Sequence, residues 1–197
     1  EVRSHAYYIL DESASSVLAA RNEHTAVPIA SITKLMTALV VLEAGQPMDE
    51  VVTINAEDVR GTAGNGSRLA TGYKLSRQDL LHLALMSSED LARLVLAAAG
   101  NRTISEYSTS ARHTVTVSRH LLEFRNTNLL VANPAWQVDV QKTGYIPEAG
   151  RCLVMQAVID GRPVVMVLLN SYGKYTRIAD AKRVRTWLES RSRVAAL

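Results

Sequence analysis

Ser31-Ile32-Thr33-Lys34 places a hydroxyl and an amine three residues apart, and at that spacing two side chains share one face of a helix. A lysine that has lost its proton can accept the proton of a neighbouring serine and turn the hydroxyl into a nucleophile for acyl transfer. The amine must then fall from its ordinary pKa of about 10.4, through burial or a nearby cation. Ile29, Leu35 and Met36 flank the pair and would permit burial. The spacing alone is a weak signal, because at roughly 7% usage of each residue type a chain of this length holds about one such match by chance. A second match, Ser171-Tyr172-Gly173-Lys174, follows a strand-like run and contains a glycine, so it reads as a loop with no helix to align it.

Lys142-Thr143-Gly144 is the next group with chemical potential. In isolation it could be a plain turn. Beside a reactive serine its meaning changes: a lysine and a hydroxyl on a strand edge can hold a substrate carboxylate, and the glycine lets a backbone approach closely. The backbone N–H groups of Ser31 and Tyr145 would then be placed to form an oxyanion hole. Lys142 could also be the cation that depresses Lys34.

These groups need elements to carry them. Ala6 to Leu10 and Val17 to Ala20, joined by the polar Asp11-Glu12-Ser13, predict an edge hairpin. After Pro28, apolar residues at Ile32, Leu35, Met36, Leu39, Val40 and Leu42 recur at three- and four-residue spacing and stop at Gly45, which predicts a buried helix with Ser31 in its first turn. A loop with Gly61, Gly64, Asn65 and Gly66 leads to a second helix, which Ser76 and Asp79 would cap. A strand-like run from Trp136 to Val140 precedes Lys142. Arg151 to Ile159 and Val164 to Asn170, linked by Asp160-Gly161, predict the clearest hairpin. A last helix is expected from about Thr176 to Ser190. Strands at both ends with helices between them suggest an α/β sheet covered by helices.

Composition narrows the function classes. The 197 residues are 47% apolar and 21% charged, enough for one well-buried core and a single domain. The formal charge of +3 is mild, and the basic run from Lys182 to Arg193 reads as the solvated face of a terminal helix and not as a nucleic-acid surface. The five histidines form no pair at metal-ligand spacing, and no metal or other cofactor is expected. His82 reads as a core or boundary residue and the single cysteine, Cys152, as packing. No run approaches a membrane span, and Glu1 opens without the regions of a signal peptide, so the chain reads as soluble and already processed.

The stretches PIASITKLMTALVVLEAG, GSRLATG, LLHLALMSSE, FRNTN, KTGYIPEAGRCLVM and GKYTRIADAKRVRTWLE resemble the D-alanyl-D-alanine endopeptidases and carboxypeptidases, low-molecular-weight penicillin-binding proteins related to penicillin-binding protein 7. The resemblance spans nearly the whole chain. It implies a penicillin-binding-protein/β-lactamase-like transpeptidase fold, with a central antiparallel sheet covered by helices. It also implies a periplasmic serine peptidase that cleaves D-alanyl bonds of peptidoglycan peptides and is acylated by β-lactams. Position by position, it makes Ser31 the nucleophile, Lys34 the base, Ser88 a proton relay, and Lys142 with Thr143 the carboxylate anchor, followed by Gly144 and Tyr145. FRNTN carries recognition without a physical role.

Two departures accompany the resemblance. Asp90 stands two residues after Ser88, where the pattern has asparagine; a carboxylate there would stabilise protonated lysines and lose an amide donor. Ser88-Glu89 also runs directly into a sequence that the pattern holds tens of residues later, so a segment is expected to be missing between Glu89 and Asp90. Read literally, Arg77 to Ala99 would be one helix. Two other readings stay open: a peptidoglycan-binding or scaffold protein that has lost turnover, and a β-lactamase, although no carboxylate motif stands out to activate the deacylating water.

Overall fold

The computed structural model describes residues 1–28, 32, 34–60, 69–86, 92–117 and 120–195. In chain order the elements are β1 (Ala6–Asp11), β2 (Ser16–Arg21), α1 (Lys34–Glu43), β3 (Val51–Thr53), α2 (Ala56–Arg60), β4 (Lys74–Ser76), α3 (Arg77–Met86) and α4 (Ala92–Ala99). There follow α5 (Arg102–Thr109), β5 (Arg112–Val117), β6 (His120–Arg125), a short 3-10 turn (Leu129–Ala132), β7 (Gln137–Ile146), β8 (Gly150–Ile159), β9 (Arg162–Ser171) and α6 (Thr176–Ala195). Among the described residues, five strands form one antiparallel sheet in the order β2-β1-β9-β8-β7. The predicted edge hairpin is therefore at one rim of the sheet, and the strand carrying Lys142-Thr143-Gly144 is at the other.

Strands alternate their side chains, and here both faces are apolar, so successive residues enter different cores. Cys152, Val154, Val165, Val167 and Leu169 pack with Ile32, Leu35, Ala38, Val95 and Ile104 on the side of α1, α4 and α5. Leu153, Met155, Val164, Met166 and Leu168 pack with Ile178, Ala181, Val184 and Leu188 of α6 on the other side. The Asp160-Gly161 link between β8 and β9 has positive φ at both residues, 53° and 75°, the geometry that suits the twist of a two-residue hairpin. Cys152 is buried, as expected of a packing residue.

Ser76 and Asp79 cap α3 as anticipated: the Ser76 hydroxyl donates to Asp79 Oδ2 at 2.9 Å and accepts the Asp79 N–H at 3.0 Å. The second Ser-x-x-Lys lies at the end of β9 and beyond, and Ser171 Oγ is paired with Ser4 Oγ at 2.7 Å, a structural contact. α6 runs five residues beyond the expected end; Lys182 and Arg191 are exposed as expected, whereas Arg183 and Arg185 are partly buried. Arg183 pairs with Asp180 at 2.6 Å, and Arg185 pairs with Glu189 at 2.7 Å while its guanidinium lies over the Trp136 ring.

His82, on α3, is sandwiched between two rings, with centroids 4.4 Å from Tyr107 of α5 and 3.7 Å from His113 of β5. His113 Nε2 reaches Asp79 Oδ1 at 3.0 Å. Burial, and then the neighbouring His113, lower the His82 pKa from 6.5 to about 4, against a smaller opposing pull from Asp79. The fold thus requires neutral His82, so its contribution is fully present above pH 6.5 and is lost as the pH falls toward about 4. Urea unfolding should show up to about 3 kcal/mol of stability lost across that window, and His82→Phe, which keeps the stack without a proton site, should flatten the profile. An unchanged slope in that variant would mean that other groups carry the acid sensitivity.

Candidate active site

Lys34 is the first residue of α1, half-buried, behind the fully buried Ile32 and ahead of buried Leu35 and Ala38. Lys142 lies within β7, a lysine with no exposed surface, and its Nζ has no hydrogen-bond partner. Burial is the main force holding the Lys142 ammonium well below the ordinary lysine range, and the positive charge of Lys34 adds to it. Lys34 and Lys142 are therefore close enough to feel each other's charge, and Lys142 is depressed. A neutral amine is what this environment favours, and a neutral amine can accept a proton.

Next along the strand, Thr143 is buried and its hydroxyl is hydrogen-bonded to that of Thr127. Gly144 is opposite Cys152, and Tyr145 is opposite Arg151. Ser31, Ser88, Glu89 and Asp90 lie outside the described residues, as does the join between the last two; α3 ends at Met86 and α4 begins at Ala92 on either side of it. The structure thus brings Lys34, Lys142, Thr143 and Thr127 together.

FRNTN now has a physical account. The Asn126 amide donates to the carbonyls of Ser108 and Ser110 at 2.8 and 3.0 Å, and its oxygen accepts from Gln141 Nε2 at 3.1 Å and the Asn128 N–H at 3.0 Å. Asn128 in turn caps the 3-10 turn by accepting the Leu130 N–H at 3.1 Å. These bonds tie the end of α5 and residue 141 of β7 to the segment that presents Thr127 to Thr143. The signal was an Asn-x-Asn before an apolar run, a pattern in which each amide oxygen bonds a backbone N–H two residues on.

Sequence reasoning also missed Arg177, in the first turn of α6. It is 94% buried, its Nη1 donates to the Lys174 carbonyl at 3.1 Å, and its Nε has no partner. Burial and then the charge of Arg151, whose strand residue is adjacent to Cys152, lower its pKa from the usual arginine value. Among the described residues no cluster of three or more His, Cys, Asp or Glu side chains is arranged to hold a metal, and no helix is long and apolar enough to cross a membrane.

Comparison with known proteins gives the same frame. A family described as D-alanyl-D-alanine carboxypeptidase matches residues 1–101 and 86–173. A D-alanyl-D-alanine endopeptidase of Pseudomonas aeruginosa is 36% identical over 243 aligned positions, covering 96% of this chain and 78% of the relative. A D-alanyl-D-alanine endopeptidase of Escherichia coli is 33% identical with the same coverage. In fold, the chain is similar to the Streptomyces K15 DD-transpeptidase, with a TM-score of 0.78 at 20% identity over 95% of this chain and 97% of that one. Similar too is the D-alanyl-D-alanine carboxypeptidase from Mycobacterium tuberculosis, with a TM-score of 0.71 at 15% identity over 93% and 90%. With its two-lysine pair on the first turn of α1 and the rim strand of such a sheet, the chain belongs to the D-alanyl-D-alanine carboxypeptidase family.

Proposed function

We propose that the chain is a serine D,D-peptidase that opens D-alanyl peptide bonds of peptidoglycan, in cross-links or at stem-peptide termini, through an acyl-enzyme on Ser31. The observation that carries this reading is the buried Lys142 amine held next to Lys34, the base three residues after the serine. Ser31 Oγ attacks the D-alanyl carbonyl as its proton passes to Lys34, in the fraction of molecules in which that amine carries no proton. Negative charge developing on the carbonyl oxygen is met by the backbone N–H groups of Ser31 and Tyr145. The C–N bond then breaks, the proton returns through Ser88 to the departing amine, and water later hydrolyses the ester with the same base. We assign the grip on the substrate carboxylate to the Thr143 hydroxyl and the Arg177 guanidinium, and Lys142 acts on Lys34 through its amine and its field. β-Lactams, whose strained amide mimics the scissile bond, would acylate the same serine.

The periplasm is the compartment in which such a substrate is reached. A single domain lacking a segment between Glu89 and Asp90 is part of the same reading. It is supported by an alignment whose 243 positions exceed the 197 residues of this chain. Asp90 favours one second reading, a peptidoglycan-binding protein that has lost turnover. Intact-mass spectrometry after incubation with penicillin decides between them. A persistent adduct on the wild type and none on Ser31→Ala is the expected result; an adduct that clears within minutes would indicate a β-lactamase, and none on either protein would leave the binding reading.

A further inference from the structure

Tyr145 and Arg151 stand directly opposite one another on β7 and β8, and the guanidinium carbon of Arg151 lies 4.3 Å from the centre of the Tyr145 ring. Tyr145 is 52% exposed, although the three residues before it are buried, and it is on the rim strand of the sheet. It is thus the first open side chain beyond the proposed carboxylate anchor. Gly150 fixes this corner: its φ is +61°, and a Cβ there would come within 2.4 Å of Asn170 Oδ1, so the turn before Arg151 has little freedom to adjust.

Charge points the same way. Arg151 has no carboxylate within ion-pair distance among the described residues, and neither has Arg177. The two cations are near enough for one to depress the other. Two guanidinium groups held together without an acid between them are relieved by an anionic ligand. A planar cation stacked on an aromatic ring also offers a flat surface for methylene groups.

We propose that Tyr145 and Arg151 form a leaving-group subsite that receives the long, acidic side chain carried by the amine half of a peptide cross-link. The inference rests on the D,D-peptidase reading and deepens it. A terminal D-alanine leaves with a methyl group and one carboxylate, the carboxylate being the group that Thr143 and Arg177 are proposed to hold. The amine half of a cross-link carries the same carboxylate plus a chain of methylenes running into a second stem peptide with further carboxylates. The ring takes the methylenes and the guanidinium takes an acid, so the plate favours cross-links.

The experiment compares wild type with Arg151→Gln and Arg151→Lys on three substrates: a purified cross-linked muropeptide dimer, a monomeric pentapeptide, and penicillin. In Arg151→Gln the dimer-to-monomer ratio of kcat/KM should fall at least tenfold, through KM on the dimer, with Arg151→Lys intermediate because it keeps the charge and loses the planar fork. Equal losses on all three substrates, or an unchanged ratio, would overturn the subsite. A wild type inert to penicillin and to both peptides would instead remove the D,D-peptidase reading, and the subsite with it.

Discussion

Lys142→Met should separate stability from chemistry. The denaturation midpoint is expected to hold or rise by the equivalent of about 1 kcal/mol, while the second-order rate of acylation by penicillin falls by roughly 10²- to 10⁴-fold. The two directions share one cause. Lys142 is fully buried and its amine has no hydrogen-bond partner, so the folded state bears the desolvation of a polar group without compensation. Methionine has a similar unbranched shape and no such group, which makes it the gentler occupant. The chemistry needs what the fold would do without: an amine next to Lys34 whose proton is easily lost. A stopped-flow acylation assay beside a urea titration measures both. A variant that acylates normally would reduce Lys142 to a packing residue, and one that unfolds would show that its amine is structural.

Asn126→Ala is expected to give the largest loss of stability, about 3 kcal/mol in urea unfolding. It removes the donor to Ser108 and Ser110 and the acceptor for Gln141 and Asn128, and these partners sit where water has little access. A deleted partner in a buried network costs more than the bond itself is worth, because the groups left behind stay desolvated. Thr127→Val separates the frame from the hydroxyl it presents. It should leave the urea midpoint within about 0.5 kcal/mol and raise KM for peptide substrates, because Thr143 loses the hydroxyl that orients it. An Asn126→Ala protein as stable as wild type would mean that α5 and β7 hold their places without this node.

Much of the fold is legible in the sequence, and the reasons differ by element. The β8–β9 hairpin announced itself because Asp160-Gly161 suits only a tight link and the runs beside it are long and apolar. β7 was seen only in part. Its first half read as a strand, but Lys142 and Thr143 break the apolar pattern, and the bulge at Asp139 shifts the pairing register between Val138 and Val140. One strand therefore read as a strand followed by a motif. The small β5–β6 hairpin went unread although its residues alternate as a strand's do, because the Ser118-Arg119 link between the runs has no glycine, asparagine or aspartate to mark a turn. For the candidate site, local spacing pointed to Ser31, Lys34, Lys142 and Thr143, and the resemblance added Ser88. The roles of Asn126, Thr127 and Arg177 were not legible, since each matters through burial or through partners far away in sequence.

The placement of β1 against β9 also bears on how the molecule is made. The first strand has only β2 as a neighbour until residues past Arg162 have been synthesised, and an isolated two-stranded hairpin is marginal in water. Asp180, which accepts hydrogen bonds from the Ser4 backbone and hydroxyl at 2.7 Å, arrives later still. A sheet whose inner pair is drawn from opposite ends of the chain closes a very large loop in its final step, which slows assembly. Until β9 has been made, the main sheet cannot close, so its completion belongs to the end of synthesis.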